Sequence, residues 1–320
     1  MPDVTSVGVM VADVLVWPVD EWPEQGRLRV VDRIELRTGG LAHTTALTLA
    51  KLGVETAAVG RVGDDAFGTV LIETLRAHGV HPHVVRDPEV GTSVTVVAVT
   101  RGGERSFLHF VGANGRLVPE DVPDGLLAST KILHLGGFFL LPGLDGEPAA
   151  RFLERARRGG CRTSIDVAWD ARGRWMEALG PCLGHLDFLF GNQDELAQLT
   201  RTHAPQEIAR RLRALGVGVV AVKMGERGAY VAADEWEGHV PAFEVPVVDT
   251  TGAGDAFCGG FLAAALRDWP WEEVTRFANA VGALCVTAVG GATGVRSFEE
   301  TITFLRTGRI RAVKEGGERS

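Results

Sequence analysis

Cysteine is scarce in this chain. Cys161, Cys182, Cys258 and Cys285 form no CxxC pair and show no metal-ligand spacing. In apolar contexts such as theirs a free cysteine acts as a small hydrophobe, which speaks against a zinc knuckle or a disulfide framework. Basic charge is also in deficit: 33 Lys and Arg stand against 41 Asp and Glu, a formal charge of −8. Binding a phosphate backbone needs clustered cations, so nucleic acid is not expected as the main partner. No stretch approaches the roughly 18 uninterrupted apolar residues of a membrane helix. The segment "MPDVTSVGVMVADVLVW" is apolar but has no basic leader and is interrupted by Asp13, so it reads as a first strand rather than a signal peptide. Internal repeats and low-complexity tracts are missing too. These absences leave a soluble, reduced, cytoplasmic globular protein without membrane association as the expectation. A chain of 320 residues can bury a sizeable core, and a single domain over residues 1–320 is expected.

What is present is alternation. Short apolar runs (6–10, 56–62, 132–135, 162–167, 188–190, 218–223 and 229–231) predict strands. Between them, helical periodicity covers 42–51, 68–77, 147–158, 206–215, 255–266 and 271–289. Strands alternating with helices imply βαβ units, hence a mostly parallel sheet covered on both faces, with ligands beyond the carboxyl ends of its strands. Arg27–Arg37 and the pair Thr92–Thr100 and Arg105–Val111 break this rhythm, being extended without intervening helices. The pair meets at "RGGE", where glycine permits a tight hairpin. These pieces, about 12–37 and 92–111, predict a small separate sheet that either closes over a site or is a plain edge hairpin. The tail 314–320 is charged and glycine-rich and is expected to fray.

"VPVVDTTGAGDAFCGG", Val245–Gly260, carries the chemistry. A dinucleotide fingerprint starting at Gly252 would need a third glycine where Phe257 stands, and a Walker A loop needs a Gly-Lys dipeptide that occurs nowhere in the chain. What is left is a strand, a Thr-Thr-Gly-Ala-Gly turn and a helix opening at Asp255. Small residues let the amides converge on one point, and the helix start adds its positive dipole end. Asp255 would repel a phosphate bound there. It makes sense as the group that takes a proton from an acceptor hydroxyl, or else as an ordinary helix cap.

"DTTGAGDAF", Asp249–Phe257, resembles the C-terminal signature of the ribokinase-like, or PfkB, family of carbohydrate kinases. Four further elements follow the family's order: "TGGLAHTTALTLAKLG" (38–53), "GRVGDDAFG" (60–68), "GNQDE" (191–195) and "VKMGERGAYV" (222–231), with "FANAVGAL" (277–284) resembling its late helix. The resemblance spans nearly the whole chain. It implies a three-layer α/β/α domain with a mostly parallel central sheet and a small β-sheet lid. It implies Asp255 as catalytic base, with the amides of Gly252, Ala253 and Gly254 as an anion hole. Nucleotide contacts would come from Asn192, Lys223, Gly225, Gly228, Thr251 and Asn279, and Mg²⁺ would sit near Asn192 and Glu195 through water. Acceptor contacts would come from Asp13, Gly39, Gly40, Thr44 and Asn114. Some relatives use a monovalent cation such as K⁺, which here would lie around Asp249 and Thr251. Pairing of lids into a homodimer is also implied.

One departure concerns the acceptor. Many sugar kinases carry Asn four residues after the second glycine; here Thr44 stands there, preceded by His43. Threonine offers one hydroxyl in place of an amide's donors and acceptor, which selects a different hydroxyl pattern. His43 reads as packed on a helix face. Asp166 falls where a sheet strand should end, and Arg172 and Arg174 lie in a segment similar to one that precedes Asn-x-x-Glu in sugar kinases. Trp17, Trp22, Phe107 and Phe110 line a flap or pack against it. The implied activity is ATP-dependent, Mg²⁺-assisted phosphorylation of a hydroxyl on a sugar or sugar acid. A nucleoside kinase of the same superfamily and a catalytically silent sugar- or nucleotide-binding regulator are the competing readings.

Overall fold

The computed structural model describes residues 1–310, so the tail read as frayed, 314–320, lies outside the described residues. In chain order the first strands are β1 (Val4–Gly8), β2 (Val11–Trp17), β3 (Arg33–Gly39), β4 (Thr56–Gly63), β5 (His81–Asp87), β6 (Val94–Val99) and β7 (Arg105–Phe110). Then come β8 (Ile132–Phe138), β9 (Arg162–Val167), β10 (Phe188–Asn192), β11 (Val219–Lys223), β12 (Ala229–Ala232) and β13 (Glu237–Val240). The helices are α1 (Leu41–Lys51), α2 (Ala66–Ala77), α3 (Asp124–Leu127), α4 (Glu147–Arg158) and α5 (Trp175–Leu183). They continue with α6 (Gln193–Thr200), α7 (Pro205–Ala214), α8 (Ala253–Ala265), α9 (Trp271–Cys285) and α10 (Phe298–Thr307).

Nine strands form one sheet in the order β13-β12-β11-β10-β9-β8-β1-β4-β5, parallel except at β12 and β13. Every residue of β1 and of β8 is buried, as a sheet covered on both faces requires. Val7, Val59 and Leu135 face one apolar core with α4, α5 and α7; Val4, Ala58 and Phe190 face a second with α1, α2, α8 and α9. The result is the three-layer α/β/α arrangement. Among the described residues no helix is long and apolar enough to cross a membrane.

A second sheet has the order β3-β2-β6-β7. The N-terminal apolar run, expected as one strand, is therefore two strands in two sheets. Gly8 makes the break at φ 137, where a β-carbon would collide with the Gly136 carbonyl oxygen. Asp13 thus belongs to β2 of the smaller sheet, not to the first strand. Cross-strand register puts Asp13, Leu15, Glu35, Arg37, Thr95, Val97, Arg105 and Phe107 on one face. Val14, Ile34, Leu36, Val96, Leu108 and Phe110 fall on the other. Only 33–37 of the alternating stretch 27–37 pairs, in a strand that runs on to Gly39, and the predicted helix 271–289 stops at Cys285. The periodicity reading also passed over β5, in which polar His81, His83 and Arg86 interrupt the apolar run, and α10, whose Ser297–Glu300 capping box was a usable start signal.

Candidate active site

Helix α8 begins one residue after Gly252, which takes φ 77 as its N-cap and makes no side-chain cap bond. A β-carbon on Gly252 would collide with the Gly291 carbonyl oxygen, so the turn admits only glycine without rearrangement. The first amides of a helix have no partner within it. Here the Ala253 amide leans on the Thr250 carbonyl at 3.3 Å, while those of Gly252 and Gly254 make no such turn or cap bond. Asp255 is the third residue of the helix rather than its cap. Its surroundings act on it through burial and charge: burial, then the Asp166 carboxylate, raise its pKa, Lys223 opposes them, and Glu195 adds, for a value of about 8.

Those charges come from the carboxyl ends of β9 and β11 and from the first turn of α6. Asp166, buried on β9, accepts both 2.7 Å and 2.9 Å hydrogen bonds from Lys223 Nζ on β11. The same ammonium would lie 3.2 Å from a β-carbon on Gly254, against the amide turn. Burial alone would lower the Lys223 pKa, but Asp166, Cys258 and Glu195 raise it well above its usual range. Glu195 is pushed up to about 7, by burial first, with Lys223 opposing and Asp166 reinforcing. Asn192 and Glu195 cap α6 reciprocally: the Glu195 amide donates to Asn192 Oδ1 at 2.8 Å and the Asn192 amide to Glu195 Oε2 at 2.8 Å. The Asn-x-x-Glu spacing is thus a helix-start device as well as a candidate ligand pair.

The smaller sheet faces this loop across a cavity of about 190 Å³ lined by Asp13, Arg37, Thr95, Arg105, Asp249, Thr251 and Gly290, among others. Asp255 does not line it. Asp13 is raised to about 6 by burial, with a Thr95 hydrogen bond opposing and the Asp249 charge adding. It lies against Gly39, where a β-carbon would meet its Oδ2, and Gly40, at φ 97, would strike the Val9 carbonyl with any side chain. Thr44 is buried, its side chain against Gly291. Arg105 reaches over from β7 and donates to Asp249 Oδ1 at 3.0 Å and to Thr251 Oγ1 at 3.0 Å. Burial pushes the Asp249 carboxyl up, yet the amides of Thr251 and Gly290 and the Arg105 guanidinium hold it below its usual range. A monovalent cation at Asp249 and Thr251 would therefore compete with Arg105 for that carboxylate.

Several candidates have other employment. Asn114 pairs with both backbone groups of Met10, accepting from its amide at 3.2 Å and donating to its carbonyl at 2.9 Å. Asn279 Nδ2 donates to the carbonyls of Val240 and Pro241 at 2.9 Å and 3.1 Å, tying α9 to the end of β13. His43 is packed, its Nε2 3.2 Å from the Leu71 carbonyl. Arg174 bonds Asp145 at 3.3 Å, and Arg172 meets Asp170 only through its amide. Gly228, at φ 90, would clash with the Val240 carbonyl, whereas Gly225, at φ 60, faces open space. Phe107 lines the cavity and Phe110 lies on the opposite face. Sequence reasoning passed over Arg105 and Arg37; the parity that puts Arg105 beside Phe107 was visible, but its partners lie 144 and 146 residues away.

Residues 1–297 match the profile of the pfkB family carbohydrate kinases. The chain is similar to aminoimidazole riboside kinase of Salmonella typhimurium, 33% identical over 284 residues that cover 83% of this chain and 87% of the relative. Fructokinase-2 of Zea mays is 30% identical over 272 residues, 79% of this chain and 80% of its own. Among solved structures, Arabidopsis thaliana ribokinase complexed with ribose and ATP superposes with a TM-score of 0.83 at 27% identity, covering 95% of this chain and 99% of that one. Thermotoga maritima ribokinase gives 0.81 at 26% identity, covering 96% and 100%.

Proposed function

This chain belongs to the pfkB family of carbohydrate kinases, and we propose that within it the protein is an ATP-dependent kinase acting on a hydroxyl of a sugar or sugar acid. The observation that carries the reading is Asp255 in the first turn of a glycine-capped helix, beside amides with no helical partner. Asp255 accepts the proton of the acceptor hydroxyl as the oxygen attacks. The amides of Gly252, Ala253 and Gly254 hold the negative charge that gathers beside it. Asp13, Gly39, Gly40 and Thr44 shape the acceptor end, and Asn114 serves it indirectly by fixing Met10. Lys223 brings positive charge to the rear of the turn, with Asp166 fixing its position.

The acceptor oxygen bonds to the γ-phosphorus of ATP as the bond to ADP breaks, and Mg²⁺, when bound, would supply positive charge to the phosphates. Among the described residues no group of three or more His, Cys, Asp or Glu is placed to hold a metal directly. Asn192 and Glu195 are the residues that would hold Mg²⁺ in this reading, through water, from the start of α6. Thr251, Gly225, Gly228 and Asn279 border the nucleotide side in this reading. The test is a screen of ATP consumption by the purified chain against sugars, sugar acids and nucleosides. Phosphate transfer to a sugar or sugar acid supports the proposal; binding without transfer replaces it with a silent binding protein. The similarity to a kinase named for a riboside makes nucleosides the second class to score.

The base must be ionised to act, and its pKa is raised to about 8. On that ground kcat/KM is expected to climb with pH up to a limb near that value. Lys223 is the charge that opposes the rise, so Lys223→Met should move the limb to higher pH. A limb below pH 6 in the wild type would contradict Asp255 as the base.

The lid sheet also presents an apolar outer face. Ile34, Leu36, Leu108 and Phe110 are 65%, 43%, 58% and 55% exposed there. Contiguous apolar surface on a protein of this kind marks an interaction site. A homodimer joined through the lids covers it. Leu108→Asp is expected to convert the dimer to monomer in sedimentation velocity, and a wild-type monomer at tens of micromolar would remove the idea.

A further inference from the structure

The lid sheet and the amide turn share one polar junction, and Arg105 is its centre. The guanidinium stands on β7 with its fork across two acceptors, Asp249 Oδ1 and Thr251 Oγ1, each at 3.0 Å. The Asp249 carboxylate simultaneously accepts from the Thr251 amide at 2.9 Å and the Gly290 amide at 3.0 Å. One buried carboxylate therefore clamps the start of the signature turn, the Gly290–Gly291 loop and the lid. Gly291 is the residue whose carbonyl presses on Gly252. Arg37, also on the lid, approaches the same loop, with Nη1 3.7 Å from a β-carbon built on Gly290. Arg105 is about one-third exposed and Asp249 nearly enclosed, so the pair is not a freely solvated surface bridge.

We infer that Arg105 is a positioning residue that couples lid closure to the shape of the anion-binding turn. With the lid closed, the fork holds Asp249 and Thr251 and thereby the path of the chain into Gly252. With the lid lifted, Asp249 keeps its two amides but loses the guanidinium, Thr251 loses its side-chain partner, and the turn is free to relax. The coupling ties the complete amide hole to the lid's closed position, so that transfer to water is restrained whenever the lid lifts. Its catalytic half rests on the kinase reading; its structural half does not.

Hydrogen exchange on the ligand-free full chain tests the structural half. In Arg105→Ala the bonded amides of the junction, those of Thr251, Ala253 and Gly290, are expected to exchange about tenfold faster than in wild type, while those of β8 keep their rates. Arg105→Lys, which keeps charge but loses the fork, should fall between. Loop exchange within twofold of wild type in Arg105→Ala overturns the coupling, and so does equal acceleration in β8, since that is general destabilisation. With ATP, Mg²⁺ and an acceptor that the wild type phosphorylates, the ratio of ADP released to acceptor phosphorylated should rise about tenfold in Arg105→Ala, with the KM for ATP within threefold. A raised acceptor KM with an unchanged ratio overturns the positioning role and makes Arg105 an acceptor contact. A wild-type chain that phosphorylates nothing sinks the kinase reading, while the exchange experiment still decides whether the lid sets the turn.

Discussion

Asp255→Asn is expected to lower kcat by about a thousandfold, within the range for losing a general base, while ATP affinity changes by less than threefold. The substitution keeps the shape of the side chain and removes its ability to take a proton. Stability should move the other way. The folded pKa of Asp255 is raised, so its contribution is fully present below the unfolded value of 3.8 and is lost as pH rises through about 8. An amide cannot ionise, and the neighbours Asp166 and Glu195 no longer repel it. Above pH 8 the variant should therefore melt at or above the wild-type temperature. Turnover measured with an acceptor that the wild type phosphorylates, with calorimetric melting at pH 6 and pH 9, separates the two effects. Near-normal turnover would remove Asp255 from the reaction, and a variant that melts lower at both pH values would overturn the stability argument.

Gly252→Ala comes next in expected effect. Two penalties add at this position. An L-residue in the left-handed region costs about 1–2 kcal/mol. The methyl group must also push the Gly291 carbonyl aside, which moves the backbone clamped by Asp249. Misaiming the neighbouring amides should reduce kcat by about a hundredfold, the scale seen when one oxyanion donor is lost. Gly53→Ala is the control. Gly53 has φ 76, close to that of Gly252, but nothing lies within 4 Å of its β-carbon. It should show the backbone strain in its melting temperature and none of the loss in turnover. Equal losses of kcat in the two variants would assign the effect to strain alone.

Much of this was legible in the chain itself because it is local or periodic. Strand 162–167 and helix 147–158 match the structure at both ends, since each has a clean apolar pattern and a terminating signal. The signature turn was recognisable because small residues before a helix have few other uses. The break at Gly8 was hidden, because an apolar run looks alike whether it serves one sheet or two. The roles of Asn114 and Asn279 were hidden as well: an amide suited to a ligand is equally suited to a stray backbone carbonyl, and only the fold shows which is nearer.

By itself the sequence determined the α/β alternation, the glycine turn into α8 and the position of Asp255 in its first turn. These follow from short-range rules of helix starts, φ freedom and periodicity. Tertiary structure alone decided the electrostatics. Asp166, Glu195 and Lys223 come from three separate segments to set the Asp255 pKa, and Arg105 crosses from the lid to hold Asp249. Coulombic and hydrogen-bonding partners are chosen by distance in space, which no spacing along the chain encodes.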